Sequence, residues 1–143
     1  MITFLQLDPY AELNADQSGL LASLGIGAFI GGLLLYLFMG YCFYKIFQKA
    51  GYSQPIAGFI PIWNTFALVD ISKKKWWWGI IMLIPYVNII ALVMVCIRLS
   101  KFFGKSDGFT VGLILLGIVF FPILAFSDAV YNPEALPDER VEN

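Results

Sequence analysis

Histidine is the usual proton carrier at neutral pH, and this chain of 143 residues has none. That removes Ser-His and Cys-His nucleophilic sites and most zinc sites. Cys42 and Cys96 stand alone inside apolar runs, with no disulfide or metal spacing. Two acids, Asp70 and Asp128, flank hydrophobic stretches. An aspartyl intramembrane protease needs two close carboxylates sharing a proton, and neither acid has a supporting motif. No Gly-rich phosphate loop follows a strand. The chain therefore reads as non-enzymatic, with no cofactor and no metal.

What remains are polar groups beside prolines. Residues 60–69 read IPIWNTFALV and residues 84–93 read IPYVNIIALV, identical at six of ten positions and 24 residues apart. A looser echo is Phe121-Pro122-Ile123-Leu124. Proline inside a helix removes one amide donor and frees the carbonyl four residues back, here those of Ala57 and Ile81. In lipid such groups need new partners, and a membrane Asn bonds across helices for ~0.6–2 kcal/mol. Pro61, Asn64, Pro85, Asn88 and Pro122 are thus expected to mark kinks and interhelical hydrogen bonds. The competing reading gives Asn64, Thr65, Asn88 and Asp70 a polar path for a small solute.

The elements that must hold these groups follow from the charges. No charged residue occurs in Gln17–Tyr44, Ala50–Val69, Trp76–Ile97 or Gly108–Ser127, runs of 28, 20, 22 and 20 residues. About 20 helical residues match a ~30 Å hydrocarbon core. Hydrophobic residues make up 59% and charged ones 13%, against ~45–50% and ~25% in soluble domains. Net charge is −1, so there is no basic field for nucleic acid. The expected fold is an all-α membrane protein with four hydrophobic helices, near 18–47, 53–71, 76–98 and 108–128. Short loops join them, and membrane lipid is the surrounding partner. Acidic tails, 1–17 and 132–143, are expected at the ends, the second one flexible.

Lys73, Lys74 and Lys75 run into Trp76, Trp77 and Trp78. Lysine snorkels to headgroups and Trp prefers the interface, so these six residues read as anchors. Pro9 disfavours one continuous helix near the N-terminus, and no positive leader region precedes the first run. Four crossings place five basic residues on one side and four on the other, which the positive-inside rule cannot decide. If segment 53–71 instead dips in and returns, the split is six to three. Four crossings are preferred here, with re-entry as the alternative. Either way the N-terminus, free of basic residues, belongs outside the cytoplasm.

Gly19, Ser23, Gly27 and Gly31 recur every four residues, and Gly108 and Gly112 repeat the spacing. Small residues at this spacing let another helix approach closely. They are expected to pack helices, within the chain or in a homo-oligomer.

Several motifs occur in a fixed order from Lys49 to Tyr131. They are Lys49-Ala50-Gly51, Ile60-Pro61 to Asn64, Trp76–Trp78, Ile84-Pro85 to Asn88, Ser100 to Lys105, and Phe121–Leu124 with Asp128. This order resembles an uncharacterised family of small bacterial integral membrane proteins, sometimes found ahead of signal-peptidase-like domains. Lys74-Lys75 replaces the family's usual Arg-Pro before the Trp cluster. The resemblance implies a multi-pass protein of the bacterial inner membrane and carries no activity to transfer. The expected function is a structural subunit or scaffold that works through helix association, with itself or with other membrane proteins. A small channel or transporter is one alternative, and a membrane accessory to a peptidase or secretion system is another.

Overall fold

Proline at the first position of a helix costs nothing, because no amide donor is needed there. Helix α1, Pro9–Lys49, begins in that way. The computed structural model describes residues 9–141, with side chains from Asn14 onward. The acidic stretch up to residue 17 is therefore not a separate tail: from Pro9 it is the first turns of α1, and residues 1–8 lie outside the described residues. The chain divides into two units within α1, between Tyr36 and Leu37.

After α1 come a 3-10 turn, Pro55–Phe59, and five helices: α2 Pro61–Ile71, α3 Trp77–Leu83, α4 Asn88–Phe102, α5 Asp107–Leu115 and α6 Gly117–Phe126. Among the described residues every regular element is helical, with no strand. Among them only α1 is long and apolar enough to cross a membrane, over Asn14–Lys49. Each of the other three charge-free runs is broken in two, at Ile60, at Ile84–Val87 and at Leu116.

Two of the breaks are the duplicated motif, built the same way twice. A residue before proline favours extended backbone. Ile60 lies at φ −111°, ψ 110° and Ile84 at φ −86°, ψ 118°. The Ile60 amide donates to the Ala57 carbonyl and the Asn64 amide to the Ile60 carbonyl, at 3.1 and 2.7 Å. The second copy repeats both bonds, Ile84 to Ile81 and Asn88 to Ile84, at 3.0 and 2.9 Å. The kink expectation is thus corrected. Pro61 opens α2 and Pro85 opens the turn that leads into α4 at Asn88, and the Ala57 and Ile81 carbonyls are satisfied by the backbone three residues on. At Leu116 a different break forms with Gly117 in place of proline: Leu116 lies at φ −130°, ψ 45°, its amide donates four residues back to the Gly112 carbonyl at 2.8 Å, and Phe120 donates to the Leu116 carbonyl at 3.0 Å. Pro122 lies inside α6.

The other ends of these helices close differently. Gly51, Lys73 and Gly104 take positive φ values of 69°, 51° and 65°. At each, the next residue's amide reaches five residues back: Tyr52 to Phe47, Lys74 to Val69 and Lys105 to Ser100. The residue itself reaches three back, which completes a Schellman cap. Glycine is the usual occupant because L side chains strain there, and at Lys73 a lysine holds the position.

These capped ends meet. The Arg98 Nε donates to the Ser72 carbonyl at 2.6 Å, the Asn132 amide to the Phe102 carbonyl at 2.7 Å, and the Tyr131 hydroxyl to the Ile71 carbonyl at 2.5 Å. Lys49 Nζ donates to the Leu124 and Ser127 carbonyls. Tyr52 and Asp70 line one cleft. Four crossings would put Ser72 and Arg98 on opposite faces of a ~30 Å core. The hydrogen bond between them corrects that expectation: each broken run leaves a common base and returns to it. In α5 and α6 the return is tight, with the Phe109 and Phe120 rings 5.2 Å apart. Eleven residues of straight helix would separate them by about 16 Å.

The core lies between α1 from Cys42 onward and the short helices, through Ile46, Phe47, Leu99, Phe102 and Leu124, all fully buried. Glycine makes the closest approach. A Cβ on Gly58 would stand 2.6 Å from the Tyr44 amide nitrogen, and one on Gly40 would stand 2.6 Å from the Phe59 ring.

Candidate functional site

The polar groups that the sequence scatters are gathered at the base. Arg98 comes from the last turns of α4 and is 9% exposed. A buried guanidinium needs its donors filled. Nε holds Ser72, Nη1 holds Glu139 Oε1 at 2.8 Å, and Nη2 holds the Pro137 carbonyl. Lys74, only 3% exposed, reaches the other oxygen of Glu139 at 2.9 Å and lies 4.4 Å over the Trp78 ring. One carboxylate thus bridges two cations from the two ends of a single apolar run.

The rest of the C-terminal segment is tied down as well. Lys73 Nζ donates to the Pro133 carbonyl at 2.6 Å, and the Glu139 amide donates to the Lys73 carbonyl at 3.1 Å. Arg140 joins Asp70 at 2.6 Å and Asp138 at 2.8 Å. The Arg140 hydrogen bonds hold the Asp138 carboxyl down at about 2, and Asp138 in turn raises Arg140. Burial pushes the Tyr131 phenol up to about 12. The tail expected to be flexible is therefore a strap across the base. Two of its acids, Asp138 and Glu139, meet Lys73, Lys74 and Arg98.

Beside the strap is a cleft of about 520 Å³. Tyr52, Phe66, Trp76 and Trp77 form its apolar wall, and Asp70, Lys74, Lys75 and Arg140 its polar one. Of these charges Asp70 pairs with Arg140, and Lys74 with Glu139.

A family model matches residues 56–134, more than half of the chain. The chain belongs to the DUF5684 family. DUF5684 is a family of unknown function. Its match takes in all three breaks, most of the base and the start of the strap, and α1 lies outside it. No curated protein and no solved structure matches the chain.

Within the DUF5684 region the sequence-expected residues separate by role. Thr65 Oγ1 donates back to the Pro61 carbonyl at 3.0 Å, and Asp70 holds Arg140. Asn64 Oδ1 is buried without a partner. Among the described residues no hydrogen bond joins Asn64, Thr65, Asn88 and Asp70 to one another. Among the expected anchors, Trp76 and Lys75 are exposed, Trp77 stacks on Trp78, and Lys74 is buried. Gly112 is buried, and a Cβ there would stand 2.3 Å from the Phe120 ring; a Cβ on Gly108 would meet only Ser106.

Outside the match, Gly19, Gly27 and Gly31 have open space where a Cβ would be, and Ser23 Oγ bonds the Leu20 carbonyl at 2.8 Å. Sequence reasoning missed Arg98, Glu139, Gly40 and Gly58. Arg98 carried a signal, since a charge closing a long apolar run needs a partner. Gly58, two residues before Ile60-Pro61, carried none.

Proposed function

We propose that the chain is a non-enzymatic integral membrane subunit of the bacterial inner membrane, associating through α1 with further copies of itself or with other membrane helices. One observation carries this reading. Residues 14–37 of α1 are exposed along their whole length, and Gly19, Gly27 and Gly31 keep room for a close neighbour. The exposed side chains include Leu21, Leu24, Phe29 and Leu34. An apolar surface of that kind needs lipid or another helix. The stretch Asn14–Lys49 has 36 residues, about 54 Å of helix, enough to cross a bilayer. Lys45 and Lys49 at its C-terminal end favour that end in the cytoplasm and the N-terminus outside.

The test is Gly27→Leu in the full chain purified in mild detergent. Loss of the assembled species by native mass measurement, with an unchanged melting temperature, is the expected result. An unchanged assembly, or a wild-type protein that is monomeric and partnerless, overturns the proposal.

A further inference from the structure

The exposed surface of the three broken runs has a consistent chemistry. Each run leaves the base and comes back without a charged residue in between. At the turning points the large side chains face outward: Ile62 is 62% exposed, Tyr86 91% and Leu115 74%. Ile60, Ile84, Val87, Ile89, Ile118 and Val119 are exposed beside them. Water around so many apolar groups is unfavourable at ~25 cal/mol per Å². None of these helices is a full crossing. The longest, α4, has 15 residues, about 22 Å against a ~30 Å core. At each Ile-Pro break the isoleucine amide and carbonyl are both paired with backbone, which lowers the cost of placing them in hydrocarbon.

The base is the opposite in character. All nine Lys and Arg residues lie outside the apolar runs, on the ends that meet there or on the strap. Several rest on aromatic rings, with Lys45 5.0 Å over Phe126 and Lys105 5.4 Å over Phe109. Cations above an aromatic layer, exposed Trp76 and Trp77 at the rim, and an uncharged interior are the profile of a membrane interface. Four crossings divide the basic residues five to four. Three returns put nine on one side and none on the other, which satisfies the positive-inside rule.

We propose that residues 53–127 insert into one leaflet only: the three broken runs dip into the acyl region and return, and the base lies at the headgroups of the same leaflet, facing anionic lipid. This rests on the membrane reading above and adds a topology to it.

The experiment uses the full chain in the inner membrane of spheroplasts and of inverted vesicles, with single cysteines introduced at Ser53, Lys75, Lys101 and Glu134. The unsubstituted chain supplies the background from buried Cys42 and Cys96. All four positions are expected to react with a membrane-impermeant maleimide from the cytoplasmic face, with labelling from the other face lost. Spin labels at Ile62, Tyr86 and Ile118 are expected to meet dissolved oxygen and not a water-soluble nickel chelate. Labelling of Lys75 and Lys101 from opposite faces overturns the proposal in favour of crossings. Free access of the nickel chelate to the three turning points overturns it too. Recovery of the chain from cells without detergent would overturn the membrane reading itself, a failure distinguishable from the other two.

Discussion

Gly27 and Gly58 are the same residue in opposite surroundings. Around Gly27 nothing stands within 4 Å of where a side chain would begin; at Gly58 the Tyr44 amide nitrogen is 2.6 Å away. The contrast extends to the segments that hold them. Along residues 14–37 small and large apolar side chains alike are uncovered, whereas Gly58, Gly79 and Gly112 stand where elements touch. Spacing alone does not tell a glycine that packs from one that waits. Among the described residues the regular four-residue ladder Gly19, Gly27 and Gly31 has nothing within 4 Å of where a side chain would begin, and the isolated Gly58 presses directly on backbone.

The sharpest way to break this comparison is to enlarge both glycines. Gly58→Leu forces backbone apart and is expected to cost about 3 kcal/mol or more, since overpacking at a backbone contact has nowhere to relax. A large drop in melting temperature in detergent, beside an unchanged one for Gly27→Leu, is the expected pair of readings. Equal melting temperatures would erase the difference between the two sites.

Arg98→Met tests whether the base depends on its buried cation. It leaves the Ser72 and Pro137 carbonyls without their donor and leaves Glu139 with Lys74 alone. Removing one partner of a buried pair typically costs ~3–5 kcal/mol. Glu139 is one-third exposed, so water relieves part of that, and about 2–3 kcal/mol is expected. Proteolysis of the strap should accelerate together with the fall in melting temperature.

The smallest effect is that of acid. Asp138 is held at about 2, below its ordinary 3.8. A lowered carboxyl contributes stability that is fully present above its unfolded pKa and is lost as pH falls through the folded one. The strap should therefore be unaffected above pH 4 and loosen between about 4 and 2. The Arg140 amide, which donates to Asp138 Oδ1 at 3.0 Å, should report this as an NMR shift with a midpoint near 2. A midpoint near 4 would mean that Arg140 does not hold the carboxyl.

Much of the architecture was legible in the chain. The charge-free runs located the four apolar segments, and the repeated Ile-Pro-x-x-Asn pointed to two of the three breaks, read as kinks, because proline constrains its own φ and the residue before it. Their direction was not legible. A run of 20 apolar residues looks the same whether it crosses or turns back, and only contacts such as Arg98 with Ser72 tell the two apart. The break at Leu116 has no proline to announce it. The strap was hidden for another reason. An acidic, proline-containing end looks like a free tail until the lysines and arginine it answers, 41 to 65 residues earlier, are brought beneath it.

A body that enters one monolayer only takes up more area there than the single first helix takes up in the other. The uncharged turns at Ile60, Ile84 and Leu116 would spread the acyl chains on the cytoplasmic side. Where many copies gather through their first helices, the sheet beneath them would bow.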